Sequence, residues 1–216
     1  MEKKILLPKN LPKTIHFVRH AQSLVNVDEW ECTKEATSNF TAPLTQKGLT
    51  QTNQLGTYLR SQNLPAHTVY FASTFLRPQQ TLQYSIHPKQ LYIDPRLDEW
   101  YKGVFHANYP KTIDTVFAHD ATAKNRDTLY YHRPTFGESQ KDVQSRTAGF
   151  LHDIASEGFH EIFIAGHGRS GRILLDMLQG KNWSNNGEME KIKNCEYFRC
   201  VRNGPHYDVT AEFKPD

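Results

Sequence analysis

The sequence predicts an α/β protein. Its expected form is three layers, α/β/α, around a mostly parallel central sheet with an antiparallel edge strand and an inserted lid region. Three observations carry this expectation. Short segments rich in β-branched and aromatic residues alternate with segments of helical period along most of the chain, the pattern of a sheet with helices on both faces. EIFIAG (161–166) is almost continuously apolar, as a strand covered on both sides must be. The last two strand-like segments are joined only by RNGP, too short for a crossover, so one of them runs antiparallel at an edge.

The elements follow in order. TIHFVRH (14–20) reads as a strand, and residues 21–44, without sustained period, as a long loop. Over 45–62, Leu49, Leu55, Tyr58 and Leu59 recur near helical spacing. Thr45 is placed to cap that helix, and Gly48 is an early weakness in it. TVYFAS (68–73) is a second strand, and LRPQQTLQYSI (76–86) a helix that tolerates Pro78 in its first turn. QLYID (90–94) is a third strand. Residues 100–136 are crowded with Tyr, His and Phe and only weakly periodic; they read as the lid, partly helical around 110–119. Residues 138–158 form a helix with Val143, Phe150, Leu151 and Ile154 on its apolar side. RSGRILLDMLQG (169–180) is a helix ended by Gly180. EYFRCV (196–201) and HYDVTAEF (206–213) close the chain as strands. No repeat, low-complexity tract or linker interrupts residues 1–216, so a single domain is expected.

Composition narrows the function classes. The 216 residues suffice for one sizeable core. A net charge of +3 is too mild to indicate nucleic acid. The three cysteines, Cys32, Cys195 and Cys200, form no CxxC pair, which fits a reducing compartment and neither a disulfide framework nor a zinc ribbon. The apolar run before Pro8 is three residues long, whereas a signal peptide needs ~7–15. No stretch approaches the ~20 apolar residues of a membrane span. A cytoplasmic protein without a membrane or nucleic-acid partner is expected.

Chemistry concentrates where strands end. Arg19 and His20 close the first strand, and His167 follows EIFIAG. In open α/β sheets ligands bind beyond the carboxyl ends of the strands, so these three side chains are expected in one crevice. The pairing suits phosphate. A neutral imidazole is a nucleophile toward phosphorus, neighbouring cations keep it unprotonated, and a guanidinium matches a phosphate edge with a planar fork of donors. GHGRSGR (166–172) leads from strand into helix, where free N–H groups favour anions. Small residues at 168 and 171 would let backbone approach a ligand. His16 and His20 are four apart, a metal spacing on a helix. On a strand they lie about 13 Å apart, so no metal site is expected. GHGRSG also satisfies GxGxxG, but too little sheet follows it for a dinucleotide unit.

An ordered set of segments resembles the histidine phosphatase superfamily, the phosphoglycerate mutase-like proteins. RHAQSLVN resembles the family's RHG signature. PLTQKGLTQTNQLGTYL (43–59), STFLRPQQT (73–81), RLDEWYKG (96–103), FGESQKDVQSR (136–146), IAGHGRSGRIL (164–174) and NCE (194–196) resemble further motifs in the same order. The resemblance implies that His20 attacks phosphorus and becomes a phosphohistidine. It implies that Arg19, Arg77 and His167 clamp the phosphoryl oxygens, and that Glu99 acts as general acid and then general base, with Asp98 the fallback. Ser23, Asn26, Gln22 and Gly168 match positions near the phosphate or substrate. No cofactor or metal is implied, and the partner is a small phosphorylated substrate.

Ala21 and Gln22 depart from the usual glycine and glutamate, variants compatible with phosphatase members. Glu138 and Ser139 most simply cap a helix. Arg133, Tyr101, His106 and Tyr109 are lid residues read either as substrate contacts or, for some of them, as plain surface, and Arg169 or Arg172 are candidates for a second acidic group of the substrate. A cofactor-dependent phosphoglycerate mutase and a non-catalytic phosphate-binding module are the alternatives. The mutase is disfavoured by the short chain, which lacks a long arginine-rich insertion.

Overall fold

The computed structural model describes residues 6–27, 39–103, 130–181 and 191–215. Most of the expected lid (104–129, with His106 and Tyr109) and Cys32 lie outside the described residues. Six strands form one sheet: β1 (Thr14–Arg19), β2 (Val69–Ala72), β3 (Leu91–Ile93), β4 (Glu161–Gly166), β5 (Tyr197–Asn203) and β6 (His206–Phe213). Their order across the sheet is β3-β2-β4-β1-β5-β6. The first four are mutually parallel, and the β5–β6 hairpin supplies the antiparallel edge. The helices are α1 (Gln46–Ser61), α2 (Leu76–Ser85), α3 (Gln140–Ser156) and α4 (Gly168–Leu178).

The period-two alternation of β1 and β4 divides the core. Ile15, Phe17, Ile162 and Ile164 pack with α3 and α4 residues such as Phe150, Leu151, Ile173 and Leu174. Val18, Phe163 and Ala165 pack with Leu55, Leu59 and Leu82 from α1 and α2. The expected three layers follow from this split.

Local chemistry sets the helix starts. Thr45 accepts the Gly48 N–H. Ser139 and Asp142 form a capping box, with Asp142 accepting the Ser139 N–H and Ser139 accepting the Asp142 N–H. Glu138 takes no part in that cap. Gly180 ends α4 at φ +68°, the left-handed turn that glycine adopts without strain.

Two glycines have a different purpose from the expected one. A Cβ on Gly48 would lie 2.0 Å from the Gln22 carbonyl oxygen. The apparent weakness in α1 is therefore where the loop after β1 lies against the helix. A Cβ on Gly171 would lie 2.1 Å from the Phe17 ring, so this residue admits a core side chain and not a ligand.

Candidate active site

Parallel pairing brings the two histidines together. β1 and β4 end in register, Arg19 opposite Gly166, and the His20 N–H bonds the Gly166 carbonyl at 2.9 Å. His20 and His167 then leave neighbouring strands at the same end. Their ring centroids are 5.3 Å apart at an interplanar angle of 66°. β2 ends beside them, because Ala72 pairs with Ala165, and this delivers Ser73. Both histidines are buried, His20 at 3% exposure and His167 at 0%.

Arg77, reaching in from the first turn of α2, assigns the tautomers. Its Nε donates to His20 Nε2 at 3.2 Å and its Nη2 to His167 Nδ1 at 3.4 Å. A guanidinium only donates. The His20 proton therefore sits on Nδ1 and is donated to the Ala21 carbonyl at 2.8 Å. The His167 proton sits on Nε2 and is donated to Ser73 Oγ at 2.7 Å. His20 keeps its lone pair on Nε2, facing the cluster. Burial, then Arg77 and Arg19, holds the His20 pKa well below the ordinary value. Burial, then Arg77, His20, Arg19 and Arg146, does the same for His167.

The arginines are anchored and still have donors to give. Arg77 donates Nη1 to the Asn39 carbonyl at 2.7 Å and lies over the Phe75 ring at 4.5 Å. Burial lowers its pKa to about 10 against the opposing pull of Glu99, so it stays a cation at neutral pH. Arg19 donates Nη1 to the Ile192 carbonyl at 2.6 Å. Its buried Nε has no hydrogen-bond partner among the described residues. A Cβ on Gly168 would lie 3.4 Å from that Nε, so the missing side chain keeps the space over the guanidinium clear.

Glu99 takes the anion position at the start of α4. Its Oε2 accepts the Gly168 and Arg169 N–H groups at 3.0 and 3.1 Å. Its Oε1 accepts the Ser170 and Trp100 N–H groups, both at 2.9 Å. His167, the N-cap of α4, makes no side-chain cap of its own. The Gly168 N–H, expected to meet phosphate, is thus engaged by a carboxylate. Asp98 faces elsewhere: its oxygens accept the Thr74 N–H and hydroxyl, both at 2.8 Å. Burial raises its pKa.

Three further expected contacts serve the loop. Ser23 is 0% exposed and bonds Asn26 Oδ1 through both its N–H and its hydroxyl at 3.1 Å. Asn26 Oδ1 also accepts from Asn194 Nδ2 at 3.1 Å. Gln22 Oε1 accepts the Thr45 hydroxyl at 2.7 Å. These bonds hold the chain after His20 in place; the same Asn194 amide donates to the His20 carbonyl at 3.0 Å. Arg133 pairs with Asp142 at 2.7 Å, and Arg169 lies over the Trp100 ring at 5.7 Å. Among the described residues no group of three or more His, Cys, Asp or Glu is placed to hold a metal ion. No helix there is long and apolar enough to cross a membrane.

Ser73, Asn39 and Asn194 are hydrogen-bond partners of His167, Arg77 and His20 for which the sequence pointed to no role. Ser73 opens STFLRPQQT and Asn194 opens NCE, so the signal was a hydroxyl at a strand end and an amide before a strand. Asn39 falls in the long loop, where no periodicity marks it.

Two imidazoles and two guanidiniums thus converge where β1, β2 and β4 end and α2 begins. The model of the histidine phosphatase superfamily (branch 1) matches residues 15–211, and the chain belongs to that family, whose phosphatases are enzymes hydrolysing phosphomonoesters. Solved structures share its fold. The alpha-ribazole phosphatase from Shigella flexneri matches with a TM-score of 0.75 at 20% identity, over 92% of this chain and 95% of that one. YhfR of Bacillus stearothermophilus matches at 0.71 and 20%, over 92% and 96%. The mycobacterial glucosyl-3-phosphoglycerate phosphatase with inorganic phosphate matches at 0.69 and 17%, over 92% and 95%. No curated protein sequence matches the chain.

Proposed function

We propose that the protein hydrolyses a small phosphorylated metabolite by a metal-independent route through a phosphohistidine on His20. The observation that carries this reading is the neutral His20 with its Nε2 lone pair turned to Arg77, which also bonds the adjacent His167 ring. Nε2 attacks phosphorus and the bond from phosphorus to the leaving oxygen breaks. The Nδ1 proton, bonded to the Ala21 carbonyl, steadies the positive charge that the phosphorylated ring acquires. Arg19, whose Nε has no partner among the described residues, and Arg77 offset the charge on the phosphoryl oxygens. This is the positive charge a metal supplies in other phosphatases.

Glu99 enters the reaction protonated in place of part of its hydrogen bonding to the α4 N–H groups, gives that proton to the leaving oxygen, and then takes one back from water. The water oxygen attacks phosphorus, the P–N bond breaks, and inorganic phosphate leaves a neutral His20. Glu99 is the main opposing charge felt by both Arg19 and Arg77, which supports a role for it beside the phosphoryl group those arginines would hold. Two structural neighbours are named as phosphatases of alpha-ribazole and of glucosyl-3-phosphoglycerate, which supports a small phosphomonoester substrate.

His20→Ala should lower the hydrolysis of p-nitrophenyl phosphate by at least ~10⁴-fold while the protein melts cooperatively. Retention of the wild-type rate would refute His20 as nucleophile. Wild-type activity should persist in a chelator.

A further inference from the structure

We propose that Arg146 is the positioning residue of the general acid: it clamps the backbone that presents Glu99, and thereby sets the rate of leaving-group protonation. This rests on the reading of Glu99 as the acid.

Glu99 sits on a segment with little secondary structure of its own. The chain leaves the short 3-10 turn Pro95–Leu97 and extends at Asp98, with φ −62° and ψ 159°. Its carbonyls have neither a sheet ladder nor a continuing helix to donate to them. Arg146, on α3, supplies the missing donors. Its Nη1 bonds the Arg96 carbonyl at 2.6 Å, and its Nη2 bonds the Asp98 and Glu99 carbonyls at 2.8 and 3.2 Å.

The guanidinium is itself held by Glu138. Nη2 meets Oε1 at 2.8 Å and Nε meets Oε2 at 3.1 Å. Glu138 grips the segment on the other side of Glu99. Its Oε1 accepts the Tyr101 N–H at 3.0 Å, its N–H bonds the Tyr101 carbonyl at 2.9 Å, and its carbonyl accepts Trp100 Nε1 at 2.6 Å. Residues 96–101 are therefore fastened, by α3 and by Glu138 just before it, on both sides of the carboxylate that reaches across to α4. The Arg146 side chain is 18% exposed and the Glu138 side chain 22%, so solvent competes weakly for these bonds.

The arrangement needs arginine. Five acceptors are met from one planar group, three of them sharing the two Nη2 protons, whereas a lysine ammonium has three donors on one atom. A flexible glutamate is placed only as well as its backbone, and a misplacement of about 1 Å can cost ~10²-fold in rate.

The test separates acid positioning from general stability. Arg146→Lys and Glu99→Gln are assayed by kcat/KM on p-nitrophenyl phosphate, whose leaving phenolate needs no proton, and on glycerol phosphate, whose leaving alkoxide does. The expected result is a kcat/KM loss for Arg146→Lys that is about tenfold larger on glycerol phosphate, with the same selectivity, larger still, for Glu99→Gln. A merely structural arginine would lower both substrates alike. Equal losses, or none, in a cooperatively melting Arg146→Lys protein would overturn the proposal. If Glu99→Gln shows no selectivity, the acid assignment itself falls; if it alone shows selectivity, only the clamp falls. Should Arg146→Lys not fold, Glu138→Gln replaces it, since it loosens the guanidinium and the Tyr101 N–H together. The same selectivity is then expected, and its absence is equally decisive.

Discussion

Among the described residues, His20 and His167 have no contact with a carboxylate that would favour their protonation. Each is buried, each faces Arg77, and each donates its single proton to a neutral oxygen. Their lowered pKa values have two consequences. The nucleophile stays unprotonated below the ordinary imidazole range, so the acid limb of kcat/KM that belongs to His20 should lie below pH ~6.5. Stability follows the same sign. In the unfolded chain both rings titrate near ~6.5 and bind protons more readily than in the folded state. The contribution is complete above that pH and is lost as pH falls toward the folded values. Melting temperature should therefore drop as pH is lowered from about 7 through 6 and below, and His167→Gln should flatten that slope. A melting temperature independent of pH over this range would contradict the buried neutral assignment. At this scale the sequence showed the histidines and their arginines. It did not show Ser73 as the acceptor that fixes the His167 tautomer, because that bond joins the ends of β2 and β4, 94 positions apart.

Helix α4 begins without a side-chain cap of its own, and Glu99 supplies the negative charge instead. A carboxylate at a helix N-terminus is worth about 0.3–1 kcal/mol, up to ~2 when partly buried. It also occupies donors that suit a phosphate oxygen. Glu99→Gln removes the competing charge, so inorganic phosphate should inhibit that variant several-fold more tightly, even though its kcat falls by about 10²–10⁴-fold. Inhibition constants from competition assays read this directly, and unchanged or weaker phosphate binding would show that the carboxylate does not compete. The helix itself was legible in RSGRILLDMLQG, ended by Gly180. Its cap was not, because Glu99 lies about 70 residues upstream. Gln22, Ser23 and Asn26 show the opposite limit: they sit beside the nucleophile in sequence, yet their hydrogen bonds run into the loop and to α1.

The whole molecule is three layers whose spacing is set where helix meets sheet. Gly171 lets α4 lie against Phe17 of β1, with no room for a methyl group. Gly171→Ala should destabilise the protein by about 1–3 kcal/mol through overpacking, although alanine is the better helix former. Denaturant unfolding measures this, and a stabilised variant would show that α4 can shift outward freely. The sequence by itself determined the alternation of strands and helices and the candidate residues at the ends of β1 and β4. These follow from apolar period and short motifs, which are local properties. Tertiary structure alone decided what each polar group bonds to: the seat of Glu99 on α4, the Arg146 clamp, and Ser23 turned into the loop. A hydrogen bond depends on the position of both partners to within tenths of an ångström, and only the packing of distant segments fixes that.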